Sequence, residues 1–338
     1  MSKVMAIVFH AHGAPGEVAH PEEIEIAEPR ADEARVRLLA APINPADLNV
    51  IEGKYPIRPA LPGVPGVEGA GLVEATGAAV TKVRAGDRVL LPHGYGTWRE
   101  AGVVKAESLV VVPPGIAPEQ AAMLKINPAT ALRMLRDFVE LPPGGWVLQN
   151  AANSAVGRAV IWLAQASGWR TVNVVRRAEV IDELLAEGAD VVLVEGEDLP
   201  AQIAAATGGA AVPLALNAVG GDSADRLARA LAPGGTIVTY GAMSRQPLRI
   251  PNGLLIFKDL RWRGFWISQW YRNSSADACR GMFAELFDLL QRGVIHAPVE
   301  RVYPLAEAAA ALAHAAQARR SGKILFGGDA WFSAKQNP

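Results

Sequence analysis

A single cysteine in 338 residues, Cys279, excludes an intramolecular disulfide framework and any metal site built from several thiolates. Six histidines accompany it, scattered rather than spaced as ligand sets. No run of about 18 apolar residues occurs, so nothing reads as a membrane span. The N-terminal MSKVMAIVFHAHG enters a strand-like run at once, without the apolar stretch and cleavage site of an exported chain, and this sets the expectation of a cytoplasmic home. Charge of one sign is missing too: 33 Lys and Arg oppose 34 Asp and Glu, which argues against a nucleic-acid footprint. What the chain does have is apolar material. Half of it is hydrophobic and 20% charged, enough to fill large cores, and its length suits about two domains.

Two textures divide it. Up to about residue 121, short strands at 34–39, 71–75, 88–91 and 108–112 are broken by Pro and Gly. From 122 to 263, strands (147–149, 171–175, 191–194, 214–219, 236–240) alternate with helices (155–167, 180–186, 223–231). Such alternation builds a parallel doubly wound sheet, so the fold class is α/β. Residues 264–338, with amphipathic helices at 282–291 and 305–317 and a strand-like KILF, are too few for a domain and are expected to rejoin the first one.

The segment 141–177, LPPGGWVLQNAANSAVGRAVIWLAQASGWRTVNVVRR, reads as strand, turn, helix and strand, the arrangement that binds a dinucleotide pyrophosphate. The usual GxGxxG is degenerate here, its three positions falling on Ala152, Ser154 and Gly157. Small residues still permit close approach of a ligand. An ordinary βαβ unit without ligand is the plainer alternative. At the end of the second strand, where an acidic side chain would bind ribose hydroxyls, stand Arg176 and Arg177. Guanidinium groups pair with a 2′-phosphate, which favours NADPH over NADH.

The segments INPADLNVIEGKYPIRP, GVPGVEGAGLVEATG, GTWRE, INPATALRML, NAANSAVG, NVVRR, LNAVGG, TYGAM, LLIFKDLRWRGFWISQW and SGKILF resemble those of the medium-chain dehydrogenase/reductase superfamily. Within it they are most similar to the 2-enoyl thioester reductases of the mitochondrial trans-2-enoyl-CoA reductase type. The resemblance implies a GroES-like β-rich catalytic domain (1–121), an NADP-binding Rossmann domain (122–263) and a C-terminal segment (264–338) returning to the catalytic domain. Where zinc-dependent members carry GHE this chain has Gly66, Val67 and Glu68, and where they carry a catalytic cysteine it has INPAD, so zinc-free chemistry is expected.

Reduction of an activated C=C suits such a site, since it needs hydride at one carbon and a proton at the next. The implied reaction is NADPH-dependent reduction of trans-2-enoyl thioesters of CoA or acyl-carrier protein, hydride going to C3 and the proton to C2. Tyr55 is the candidate acid, because a phenol with an ordinary pKa near 10 is protonated at neutral pH and this one sits in a loop rich in Gly and Pro.

The resemblance further places Asn127 beside the nicotinamide and Asn153, Ser154, Ala155 and Val156 in the phosphate turn. It puts Tyr240, Gly241, Ala242 and Met243 along the cofactor, Phe265, Trp266, Ile267 and Ser268 at the nicotinamide, and Lys323 on a cofactor phosphate. Read from residue type alone, Asn127 could equally cap a helix, Trp266 fill a core and Lys323 be a solvated charge. Trp98 is similar to an aromatic near the substrate's way in, or else structural, and Glu68 is read as structural, holding loop amides. Arg58, Arg245 and Lys258 are candidates for the pantetheine-linked phosphates. A homodimer joined near residues 260–264 is expected by analogy. An NADPH:quinone reductase of the same fold, which would not need Tyr55, and a catalytically silent NADPH-binding protein are the alternatives.

Overall fold

The computed structural model describes residues 2–317 and 320–336, and the side chains of all of these up to residue 333. Contacts divide the chain into two compact units, Met1–Lys125 with Phe283–Gln291 and His296–Pro338, and Ile126–Met282 with Arg292–Ile295.

The first unit is β-rich. Strands β1 (Ser2–Phe9) and β2 (Ala19–Ile26) form an antiparallel pair. They are followed by β3 (Glu33–Pro42), β4 (Ala70–Thr76), β5 (Arg88–Leu90), β6 (Ala101–Lys105) and β7 (Val110–Val111). Alternation makes β3 a half-buried strand: Ala34, Val36 and Leu38 face the core, while Arg35 and Arg37 both ion-pair with Glu74 on β4. The strand expected at 108–112 shrinks to β7, because residues 106–108 close a 3₁₀ turn in which the Ser108 hydroxyl donates to the Lys105 carbonyl at 2.6 Å.

The second unit holds six parallel strands: β8 (Trp146–Gln149), β9 (Arg170–Val175), β10 (Val191–Val194), β11 (Leu214–Asn217), β12 (Thr236–Thr239) and β13 (Arg261–Gly264). They lie in the order β10-β9-β8-β11-β12-β13. This is the doubly wound order in which the chain reverses direction between its first and fourth strands, here β8 and β11. Helix Ala155–Ala166 is apolar nearly all round and buried from Gly157 to Ala164.

The chain then returns to the first unit through β14 (Val299–Pro304) and β15 (Lys323–Gly327). β15 pairs antiparallel with β3, completing a seven-stranded sheet. The core beneath it gathers Ile7, Phe9, Leu38, Ile51, Leu91, Ile324 and Phe326. The division differs from the expected boundaries at both ends. Residues 122–125 stay with the β-rich unit, where Lys125 donates to the Leu91 carbonyl at 2.8 Å. Residues 264–282 belong to the parallel-sheet unit: the Phe265 amide continues the pairing to the Thr239 carbonyl, and its ring meets Phe138 edge-on.

Candidate active site

The carboxyl edge of the parallel sheet gathers most of the expected cofactor residues. Beyond β8, Ala151 adopts a left-handed φ of 50° and the chain turns through Asn153 to Ser154, whose side chain caps helix Ala155–Ala166 by accepting from the Gly157 amide at 3.1 Å. The turn leaves no room at Gly157, where a Cβ would lie 2.4 Å from the Ala152 carbonyl oxygen. Only glycine fits there, the close helix-to-turn packing that a dinucleotide turn requires of its third glycine. Ala155 and Val156 open the helix, so their amides belong to the unpaired first turn that attracts an anion.

Arg176 and Arg177 follow β9 directly; Arg176 is exposed, Arg177 half-buried, and neither has an ion-pair partner among the described residues. Tyr240 to Met243 leave the end of β12, with the Tyr240 amide donating to the Asn217 carbonyl at 3.0 Å. The Tyr240 hydroxyl is buried and faces Ser154, yet makes no hydrogen bond of ordinary geometry among the described residues. Burial pushes this phenol well above its usual range, so it stands as a proton donor lacking an acceptor. Phe265 and Trp266 leave β13, and buried Ile267 and Ser268 begin the next helix. Trp266 lies under the Arg272 guanidinium, 4.8 Å from its ring centre, rather than in a core. Asn127 is the first residue of helix Asn127–Asp137, whose capping position is Ile126. A Tyr240 hydroxyl without an acceptor, a turn that admits no Cβ and two guanidinium groups without ion-pair partners, all among the described residues, suit NADPH.

The switch point holds a network that residue-type reasoning did not single out. Asn150 Nδ2 donates to Asn217 Oδ1 at 2.9 Å and to Ser223 Oγ at 3.0 Å, and Asn150 Oδ1 accepts from the Ala218 amide at 2.7 Å. Asn217 Oδ1 accepts in turn from the Gly220 amide at 3.0 Å. Both asparagines are buried, Asn217 ending β11 and Asn150 directly following the neighbouring β8, so they pin the two diverging loops to each other. Amides at strand ends within NAANSAVG and LNAVGG were the available signal.

In the β-rich unit, Tyr55 follows helix Pro45–Ile51 and a left-handed Gly53, and packs half-buried against the core. Lys323 begins β15 in the same unit. Its ammonium is buried and donates to Asn44 Oδ1, with Glu68 and Asp47 as the nearby negative charges, so it is not the solvated charge that residue type alone allowed. Burial drives its pKa down to about 8 and pushes the Asp47 carboxyl up to about 7. The loop amide of Val67 is gripped by Asp47 Oδ1 at 2.9 Å, the task expected of Glu68; Glu68 Oε1 accepts from Asn44 Nδ2 at 2.8 Å. Trp98 is wholly buried, edge-on to Phe326 at 5.1 Å, which makes it core. Lys258 is occupied too, donating to the Arg229 carbonyl at 2.7 Å, whereas Arg245 sits exposed at a left-handed φ of 57°. Among the described residues, no three His, Cys, Asp or Glu side chains converge as a metal-ligand set.

A β-rich unit of this topology joined to a six-stranded dinucleotide-type sheet defines a two-domain dehydrogenase. The family model described as the alcohol dehydrogenase GroES-like domain matches residues 30–114, and that described as zinc-binding dehydrogenase matches residues 155–291. The human mitochondrial enoyl-[acyl-carrier-protein] reductase is 45% identical over 317 residues, covering 92% of this chain and 85% of its own. A solved complex of Etr1p with NADP and crotonyl-CoA superposes with a TM-score of 0.88 at 28% identity, covering 97% of this chain and 100% of that one. A structure from Bacillus thuringiensis provisionally assigned as an NADPH:quinone reductase gives 0.91 at 30% identity over the same shares. The chain belongs to the enoyl-[acyl-carrier-protein] reductase family of medium-chain dehydrogenases/reductases. That family's human member is mitochondrial, and this overturns the cytoplasmic expectation, which rested on the lack of an export signal.

Proposed function

We infer that this chain is an NADPH-dependent reductase of trans-2-enoyl thioesters. Within the molecule, the observation that carries this reading is the Gly157 turn at the switch point followed one strand later by Arg176 and Arg177, with no acidic side chain to receive a ribose hydroxyl. Bound NADPH supplies the hydride that adds to C3 of the thioester. The chain's own residues do the rest. The amides of Asn153, Ala155 and Val156 and the Tyr240 hydroxyl would hold phosphate oxygens, and the arginine pair would hold the 2′-phosphate.

Tyr55 is the proposed source of the proton at C2. Supporting this are a phenolic hydroxyl of the kind that serves as a general acid and a loop that follows a helix whose far end, Val50 and Ile51, is buried. No metal is assigned to the reaction, for conjugate reduction needs only hydrogen-bond donors on the enolate oxygen. We further propose a homodimer joined along β13. Among the described residues that strand ends the sheet with its outer edge unpaired, and shortly before it in the chain Leu255, Ile256 and Phe257 are 41%, 68% and 87% exposed.

A second reading, NADPH:quinone reduction, is favoured by the Bacillus thuringiensis likeness. One experiment separates the two: NADPH consumption on a trans-2-enoyl-CoA series and on a simple quinone, for wild type and Tyr55→Phe. Reduction of the enoyl esters that falls by about 10²-fold or more in the variant is expected for a lost general acid. Turnover of the quinone alone, equal in both proteins, would establish the second reading instead.

A further inference from the structure

We propose that Asn44, clamped between Lys323 and Glu68, is a positioning residue that sets the orientation of Tyr55 through helix Pro45–Ile51; this rests on Tyr55 serving as the acid. Asn44, Asp47, Glu68 and Lys323 are 2%, 1%, 0% and 9% exposed, four polar groups enclosed by the apolar interior of one unit. Asn44 is their junction. Its Oδ1 accepts from Lys323 Nζ and its Nδ2 donates to Glu68 Oε1 at 2.8 Å, so both ends of the amide are fixed and the side chain cannot flip. Its backbone amide donates to Asp47 Oδ2 at 2.8 Å, one arm of a capping box, which carries the constraint from the side chain into the helix start.

The helix then acts as a short rod. Seven residues at about 1.5 Å each span roughly 10 Å, and Val50 and Ile51 are buried at its far end. There the Ile51 carbonyl accepts from the Gly13 amide at 3.2 Å, and the Lys54 amide donates back to the Asn49 carbonyl at 2.8 Å. Three residues, Glu52, Gly53 and Lys54, separate this anchored end from Tyr55.

Stability alone does not require such a device. Replacing a buried ion pair by apolar groups of similar volume is often neutral or stabilising, so a cluster of two carboxylates, an ammonium and an amide suggests that orientation is what is being specified. The arrangement joins three distant stretches of chain, the residues before helix Pro45–Ile51, the loop before β4 and the first residue of β15, at the point where the helix begins.

The test compares Lys323→Met and Asn44→Ala, each alone and combined with Tyr55→Phe, reading kcat and the KM for NADPH with a trans-2-enoyl-CoA. Expected are a fall in kcat of about tenfold or more in each single variant, a KM for NADPH within about twofold of wild type, and double variants no slower than Tyr55→Phe by more than about twofold, the signature of residues acting as a unit. Lys323→Gln, which keeps an N–H donor for Asn44, should recover most of the lost kcat. Asn44→Ala carries the same test should Lys323→Met fail to fold. A loss that multiplies with that of Tyr55→Phe would overturn the inference, as would a KM for NADPH that rises while kcat holds, since that is the mark of a phosphate contact. Wild-type turnover by Tyr55→Phe overturns both the acid and its positioning. A slow Tyr55→Phe beside a normal Lys323→Met overturns the positioning alone.

Discussion

Gly157 and the arginine pair beyond it act at the scale of single side chains, and they fail in different ways. Gly157→Ala places a methyl group 2.4 Å from a backbone oxygen that cannot move aside without opening the turn. It should weaken NADPH binding and lower stability by ~1–3 kcal/mol, the usual cost of overpacking, seen as a reduced fluorescence-titration affinity and an earlier melting transition. Arg176→Ala and Arg177→Ala should leave the melt unchanged, because neither guanidinium has an ion-pair partner among the described residues. Each should raise the KM for NADPH by roughly 10- to 100-fold, the worth of a charge-assisted hydrogen bond, while that for NADH barely moves. Residue type announced these positions: a glycine at the third place of a phosphate turn and paired arginines at a strand end mean much the same in any fold of this class. Lys323 was not legible in that way. A lysine after Ser-Gly reads alike whether solvated, phosphate-bound or buried, and only the pairing of β15 with β3 takes it inside. Asn44 and Asp47 were obscured for a related reason, since INPAD was informative chiefly for the cysteine it lacks.

Among the elements, the tether between helix Pro45–Ile51 and β15 should leave a mark on stability as a function of pH. The Asp47 carboxyl rises from 3.8 to about 7 on folding, so its contribution is fully present below pH 3.8 and is lost as pH climbs through 7. The Lys323 ammonium falls from 10.5 to about 8, so its contribution is present above pH 10.5 and is lost as pH drops through 8. The cluster therefore contributes least between pH 7 and 8 and more on either side. Urea unfolding at pH 5, 7.5 and 9.5 should show wild type losing ground to Asp47→Asn between the first two, by about 2.5 kcal/mol at the upper limit. The elements themselves were well marked in the second unit, where largely buried runs of four to six residues, Trp146–Gln149, Arg170–Val175, Leu214–Asn217 and Thr236–Thr239, alternate with helices. The β-rich unit was harder. Its strands at 34–39 and 71–75 stood out by alternation, but 108–112 was read too long, since Val-rich composition does not reveal a hydroxyl closing a turn at Ser108.

For the whole molecule, the boundaries were the least legible feature, because residues 264–282 are assigned by what they pack against and not by their composition. The proposed dimer gives the remaining prediction. Phe257, 87% exposed and four residues before β13 in the chain, should be covered by the second copy. Phe257→Asp should move the protein from dimer to monomer on gel filtration with light scattering, while NADPH binding persists; a monomeric wild type would remove the proposal. The phosphate turn and the arginine pair also end different strands, β8 and β9, and only the turn is locked by steric contact. Gripping the cofactor and telling its two forms apart are thus separately adjustable, and a change of nucleotide preference can be engineered, or can evolve, at the tip of β9 without reopening the fold.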